Sequence, residues 1–86
     1  MSELSRFFGI VITMRFNDHS PPHIHIKYGN QNASINIITL DILGGKLSNR
    51  ALNLVREWIL AHRYELLSNW QRARKQLPLN PIKPLE

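Results

Sequence analysis

The chain has 86 residues, no cysteine and a formal net charge of +5. A chain this short holds one small core, burying roughly 60–65% of the surface its unfolded form exposes, and the lack of cysteine excludes disulfides and thiolate metal sites. No apolar run approaches the ~20 residues of a membrane span, while the basic excess favours an anionic partner, either nucleic acid or an acidic protein. With no signal-peptide pattern at the N-terminus, a cytoplasmic location with no membrane association is expected.

The first half reads as strands. Phe8, Ile10, Ile12, Met14 and Phe16 are apolar at period two, which predicts a strand over about 6–16 with one apolar face. Asn17 to Pro22 is rich in turn formers and is expected to be a loop. A second strand, 23–28, alternates Ile24, Ile26 and Tyr28 with His23, His25 and Lys27. Gly29-Asn30 marks a turn, expected to run as a longer loop through Asn32. A third strand, about 33–39, alternates Ala33, Ile35 and Ile37 with Ser34, Asn36 and Ile38. Short connections make this a three-stranded antiparallel meander. Leu40 to Leu47 passes through Gly44-Gly45, read as a flexible link out of the sheet.

The second half is helical over about 48–76, with Ser48 as its N-cap. Leu52, Val55, Ile59, Leu66, Trp70 and Ala73 form an apolar stripe, flanked by Trp58, that suits the apolar sheet face. A straight helix of that length would span on the order of 43 Å, more than the roughly 25 Å of a domain this size. The helix is therefore expected to bend near Ala61-His62-Arg63, to break, or to project. The proline-rich tail, 77–86, is expected to be extended. The expected fold is α+β: a three-stranded meander packed on one face by a long or bent C-terminal helix, in a single domain spanning 1–86.

Residues two apart in a strand share a face. The isoleucines of the second strand face the helix, so His23, His25 and Lys27 are expected on the open face. Thr13, Arg15, Ser34 and Asn36 should join them there. Three readings of this patch compete. His23 and His25 could act as general base and acid on an anionic substrate held by Arg15 and Lys27, and RNA cleavage through the 2′-hydroxyl needs no metal. A His-x-His pair could instead ligate a metal, with His19 or Asp18 as a possible third ligand, but no third ligand is established and the neighbouring Lys27 and Arg15 oppose a divalent ion. Or the histidines only brace the 17–22 loop. The expectation is no metal and no cofactor. His62 falls on the helical stripe and reads as a packed histidine. Trp58 and Trp70 read as core. Arg72, Arg74 and Lys75 suit either the helix dipole or a phosphate.

Several strings are familiar together: Ser5-Arg6-Phe7-Phe8-Gly9-Ile10, Asn17-Asp18-His19 with Pro22-His23 and His25, Tyr28-Gly29, Gly45-Lys46-Leu47, Glu57-Trp58, His62-Arg63 and Asn69-Trp70. They resemble a small bacterial domain-of-unknown-function family with an Asn-Asp-His-x-x-Pro-His-x-His motif. Genes of that family commonly lie beside a second small uncharacterised domain, and such pairs have been proposed as toxin–antitoxin modules. The resemblance covers nearly the whole chain and assigns no catalytic roles. Ile24 stands where that pattern often has an aromatic residue, and Asn30 where it often has an acidic one.

Charge, histidine face and resemblance together point to a toxin-like component acting on RNA. In that reading His23 and His25 are catalytic, as a metal-independent endoribonuclease, and Arg15, Lys27, Asp18, His19 and Tyr28 bind substrate. Tyr28 could do so only with a register that turns it to the open face. The expected partners are a small acidic antitoxin-like protein and RNA. The alternative is a non-catalytic module that docks a small partner or nucleic acid, by its sheet or its tail.

Overall fold

A computed structural model describes residues 2–86. It is α+β, with five antiparallel strands followed by one helix, where the sequence suggested three strands. The strands are β1 (Ser2–Phe7), β2 (Ile10–Met14), β3 (His23–Tyr28), β4 (Gln31–Asn36) and β5 (Ile42–Gly45), side by side in chain order. The helix, α1, is Asn49–Arg74.

The first correction is that the expected strand over 6–16 is a hairpin. Phe7 pairs with Ile10, leaving Phe8-Gly9 as a two-residue turn. Both turn residues have positive φ, 50° and 79°, the mirror-image geometry that matches strand twist. Phe-Gly lacks the Asn or Asp that usually announces such a turn, and the apolar alternation runs through it unbroken. Leu4 and Phe7 of β1 are buried, and Phe16 is an exposed turn residue past the end of β2.

The second correction concerns the next two connections. Tyr28 pairs with Gln31, so Gly29-Asn30 is a tight turn rather than a loop through Asn32. β4 ends at Asn36, not near residue 39. There the Asn36 side-chain oxygen accepts from the N–H groups of Ile38 and Thr39 at 2.7 and 3.0 Å. The chain turns back and pairs as β5, where a flexible link was expected. Gly45 permits this pairing: its φ is +80°, and a Cβ there would collide with the Asn32 carbonyl and sit 2.8 Å from the Ala33 Cα. A glycine pair reads as flexible in sequence, but here it marks a close backbone approach.

Ser48 caps α1, its hydroxyl accepting from the Ala51 N–H at 3.3 Å. Twenty-six helical residues laid straight would extend about 39 Å, beyond the longest dimension of the molecule, 33 Å. The helix bends where the sequence suggested, at His62 (φ −128°, ψ 25°). The His62 ring packs 5.6 Å from Trp58, and its Nδ1 lies 2.8 Å from a Glu65 carboxylate oxygen. Arg63 ties the bend to the turn after β4, donating to the carbonyls of Ile37 and Ile38. The buried helical face carries Val55, Trp58, Ile59, Leu66, Trp70 and Ala73 against Ile10, Ile12, Met14, Ile24, Ile26 and Ile35.

Residues 77–86 form no helix or strand and dock on their own chain. The Ile82 N–H donates to the Leu4 carbonyl at 2.9 Å, and the Ile82 side chain is buried. Asn69 clamps Asn80 through both amide atoms at 2.8 Å. Trp58 donates to the Lys83 carbonyl, and Arg72 to the Pro78 carbonyl. These groups are thus engaged within the chain. The helix covers one face of the sheet and leaves the other to the site.

Candidate functional site

The open face is built by register. Thr13 on β2 pairs with His25 on β3, which pairs with Ser34 on β4. Lys27 lies between Val11 and Asn32. On β5 the residues reached are Gly44 and Gly45, whose missing side chains lower that side. The result is an open concavity of about 620 Å³, floored by Val11, Thr13, His25 and Ser34 and flanked by Arg15 and Lys27. Among the described residues, neither Arg15 nor Lys27 meets a carboxylate within ion-pair distance.

The loop between β2 and β3 brings a second group to one end of this face. Its backbone is tied to the helix end, with the Asn17 N–H donating to the Ala73 carbonyl at 3.0 Å. Asn17 has φ +56°, a conformation asparagine tolerates better than most residues. That turn sets the Asp18 carboxylate over the start of β3. Asp18 Oδ2 lies 3.0 Å from His23 Nε2 and 3.4 Å from His25 Nε2. Asp18 Oδ1 accepts from the His19 N–H at 2.9 Å and lies 3.0 Å from His19 Nδ1.

The two strand histidines differ. His25 belongs to the open face and is partly accessible, with 19% of its side chain exposed. His23 was expected beside it but is buried, 5% exposed. Strand alternation sets its direction, yet at the sheet end the Trp70 ring packs 5.2 Å away and the loop closes over it. Its Nδ1 is 2.7 Å from the Pro21 carbonyl oxygen.

Electrostatics separates the groups further. Burial pushes the Asp18 carboxyl upward. The His19 N–H, the hydrogen bond from His25 and the charges of His23 and His19 outweigh that and hold it below its ordinary value. Burial lowers His25; its contact with Asp18 opposes the shift, while Arg15 and His23 add to it, and the net direction is down. His25 is thus a neutral ring at neutral pH, with Asp18 ionised beside it.

Of the residues singled out in the sequence, Arg15, His25 and Lys27 line one concavity, and Asp18, His19 and His23 meet at its end. Tyr28 does not join them. It lies on the helix-covered side and packs against the core, where the register places it. Asn36 also turns away, spending its side chain on the 37–39 turn. The sequence reading missed that Asp18 is shared by both strand histidines. The available signal was an acidic residue in a short loop leading into a His-x-His strand. It also missed Asn69, a polar residue within the apolar stripe that is 1% exposed.

No helix among the described residues is long and apolar enough to cross a membrane. No curated protein and no solved structure matches the chain. A family model, that of the domain of unknown function DUF4160, matches residues 9–71, a stretch that contains every residue of the concavity and of the Asp18 cluster. The chain belongs to the DUF4160 family.

Proposed function

We propose that the protein binds RNA on the open face of its sheet and serves as the RNA-acting, toxin-like component of a two-protein module, with the Asp18–His23–His25 cluster as the reactive end of that face. The observation that carries this reading is the concavity lined by Arg15, His25 and Lys27, with hydroxyls from Thr13 and Ser34. Two unpaired cations on a polar, open surface suit a phosphodiester backbone. The net charge of +5 supplies long-range attraction. Family membership supports the two-protein setting only through the resemblance noted above.

The geometry reshapes the chemistry suggested by the sequence. His23 is enclosed by Trp70 and the 17–22 loop, so it positions Asp18 rather than touching RNA. His25 is the histidine that faces the substrate side.

The test is binding of a fluorescent single-stranded RNA by the wild type and by the Arg15→Ala/Lys27→Ala double variant. A weakened double variant supports the reading. Equal affinity, or no binding by the wild type, rejects it.

A second reading concerns the partner. β5 is the sheet edge opposite β1, and each of its residues is exposed, Ile42 and Leu43 among them. An edge strand offers unpaired backbone groups that a partner strand can satisfy. The charge of +5 favours an acidic partner there. Leu43→Lys should weaken capture of such a partner while leaving RNA binding intact.

A further inference from the structure

We propose that Asp18, His23 and His25 form a binding site for a divalent first-row transition metal ion, zinc being the probe of choice. The inference shares its place with the RNA-binding reading but stands on separate evidence.

The first observation is convergence. Two imidazole Nε2 atoms meet one carboxylate oxygen, Asp18 Oδ2, and the ligand atoms of the three residues lie within 4.8 Å of one another. A tetrahedral zinc ion with bonds of about 2.0–2.1 Å spaces its ligands roughly 3.3 Å apart. The separations of 3.0 and 3.4 Å from Asp18 Oδ2 to the two nitrogens fall on either side of that value. The two nitrogens also lie within 4.8 Å of each other.

The second observation is the orientation of His23. The Pro21 carbonyl oxygen is solely an acceptor, so His23 Nδ1, 2.7 Å away, donates to it, and Nε2 is the nitrogen turned to Asp18 Oδ2 at 3.0 Å. A backbone carbonyl on the far ring nitrogen is the arrangement that orients metal-ligating histidines and fixes their tautomer.

The third observation is access. His23 is buried, but His25 and Asp18 keep 19% and 14% of their side chains exposed, so an ion can enter from the open face. Two histidines and a carboxylate leave coordination positions for water or substrate. Imidazole ligands favour first-row ions over magnesium or calcium. Arg15 opposes a cation at His25, and the Asp18 carboxylate supplies the charge that offsets it. The sequence disfavoured a metal because of the neighbouring cations and an unestablished third ligand; of its two candidates, His19 and Asp18, the fold brings Asp18 to both histidines. A bound ion would place its open positions at the end of the face proposed for RNA.

The test is calorimetric titration of chelator-stripped protein with zinc, without RNA, backed by cobalt(II) absorption to report coordination. The wild type should bind one zinc ion per chain, with magnesium failing to compete. Asp18→Asn and His25→Ala should each weaken binding by more than the 10–100-fold typical of losing an outer-shell partner, with circular dichroism unchanged. His62→Ala, which removes a histidine far along the helix, should leave it unchanged. If Asp18→Asn fails to fold, His25→Ala decides, because that side chain is partly accessible. No zinc binding by the wild type, or equal binding by a folded His25→Ala variant, overturns the proposal. Because RNA is absent, either result leaves the RNA-binding reading to its own test.

Discussion

His23 Nε2 and Asp18 Oδ2 face each other at 3.0 Å in a corner closed by Trp70. The far side of the His23 ring is already committed to the Pro21 carbonyl. This pair joins a loop to a strand and places a carboxylate where His25 also reaches it. The cluster therefore depends on both the loop conformation and the start of β3, and its loss should be felt in both.

Zinc should raise the thermal stability of the wild type. A ligand at about 100 times its Kd stabilises the folded state by about 2.7 kcal/mol, which for a chain of this size is a rise in Tm on the order of 10 °C. Differential scanning fluorimetry with zinc and then with excess chelator should show the rise and its reversal. Asp18→Asn should show neither.

Replacing Gly45 by alanine should destabilise the protein by about 2 kcal/mol or more, from the positive φ and the collision with Asn32. The effect should concentrate in β5 because its pairing with β4 requires that approach. Hydrogen exchange should report faster exchange at residues 42–45 than in β2 and β3. Uniform protection equal to the wild type would show that the edge adjusts freely.

Asn69→Ala removes both hydrogen bonds to Asn80 from a buried position. A loss of about 2–3 kcal/mol is expected, since each unmade bond leaves a group desolvated. Limited proteolysis should then cut within 77–86 faster than in the wild type. Zinc binding should persist, because the Asn69 side chain spends its hydrogen bonds on Asn80 and not on the Asp18 cluster.

These consequences also show what the sequence could and could not reveal. The period-two alternation of Ile24, Ile26 and Tyr28 against His25 and Lys27 identified the open face directly, because strand geometry leaves side chains no choice of side. The helical stripe and the bend at His62 followed from spacing and from the length of a straight helix. The Phe8-Gly9 turn was hidden because Phe8, exposed in the turn, continues the period-two spacing of Ile10, Ile12 and Met14, although the residue buried across from Ile10 is Phe7. β5 was hidden because Gly44-Gly45 resembles a linker, and its role as a close approach to Asn32 depends on contacts remote in sequence. Asp18 was visible as a turn residue, a substrate-binding candidate and a possible third metal ligand. Its reach to two histidines depends on the loop being tied to Ala73, which no local pattern records.

Arg15→Ala and Lys27→Ala should each reduce the salt dependence of RNA binding. Each lost phosphate contact on a single strand changes the slope of log K against log salt by about 0.7, so the double variant should differ by roughly 1.4. Anisotropy titrations at several salt concentrations measure this. An unchanged slope would place the RNA away from these two residues.

The most direct measurement for the whole account is amide-resolved NMR titration of the protein with a single-stranded RNA oligonucleotide. Shifts are expected at Val11 to Arg15, at His25 and Lys27, at Ser34 and through the 18–23 loop, with the solvent side of α1 unaffected. Shifts confined to α1 and the tail, or no shifts at all, would contradict an RNA site on the open face of the sheet.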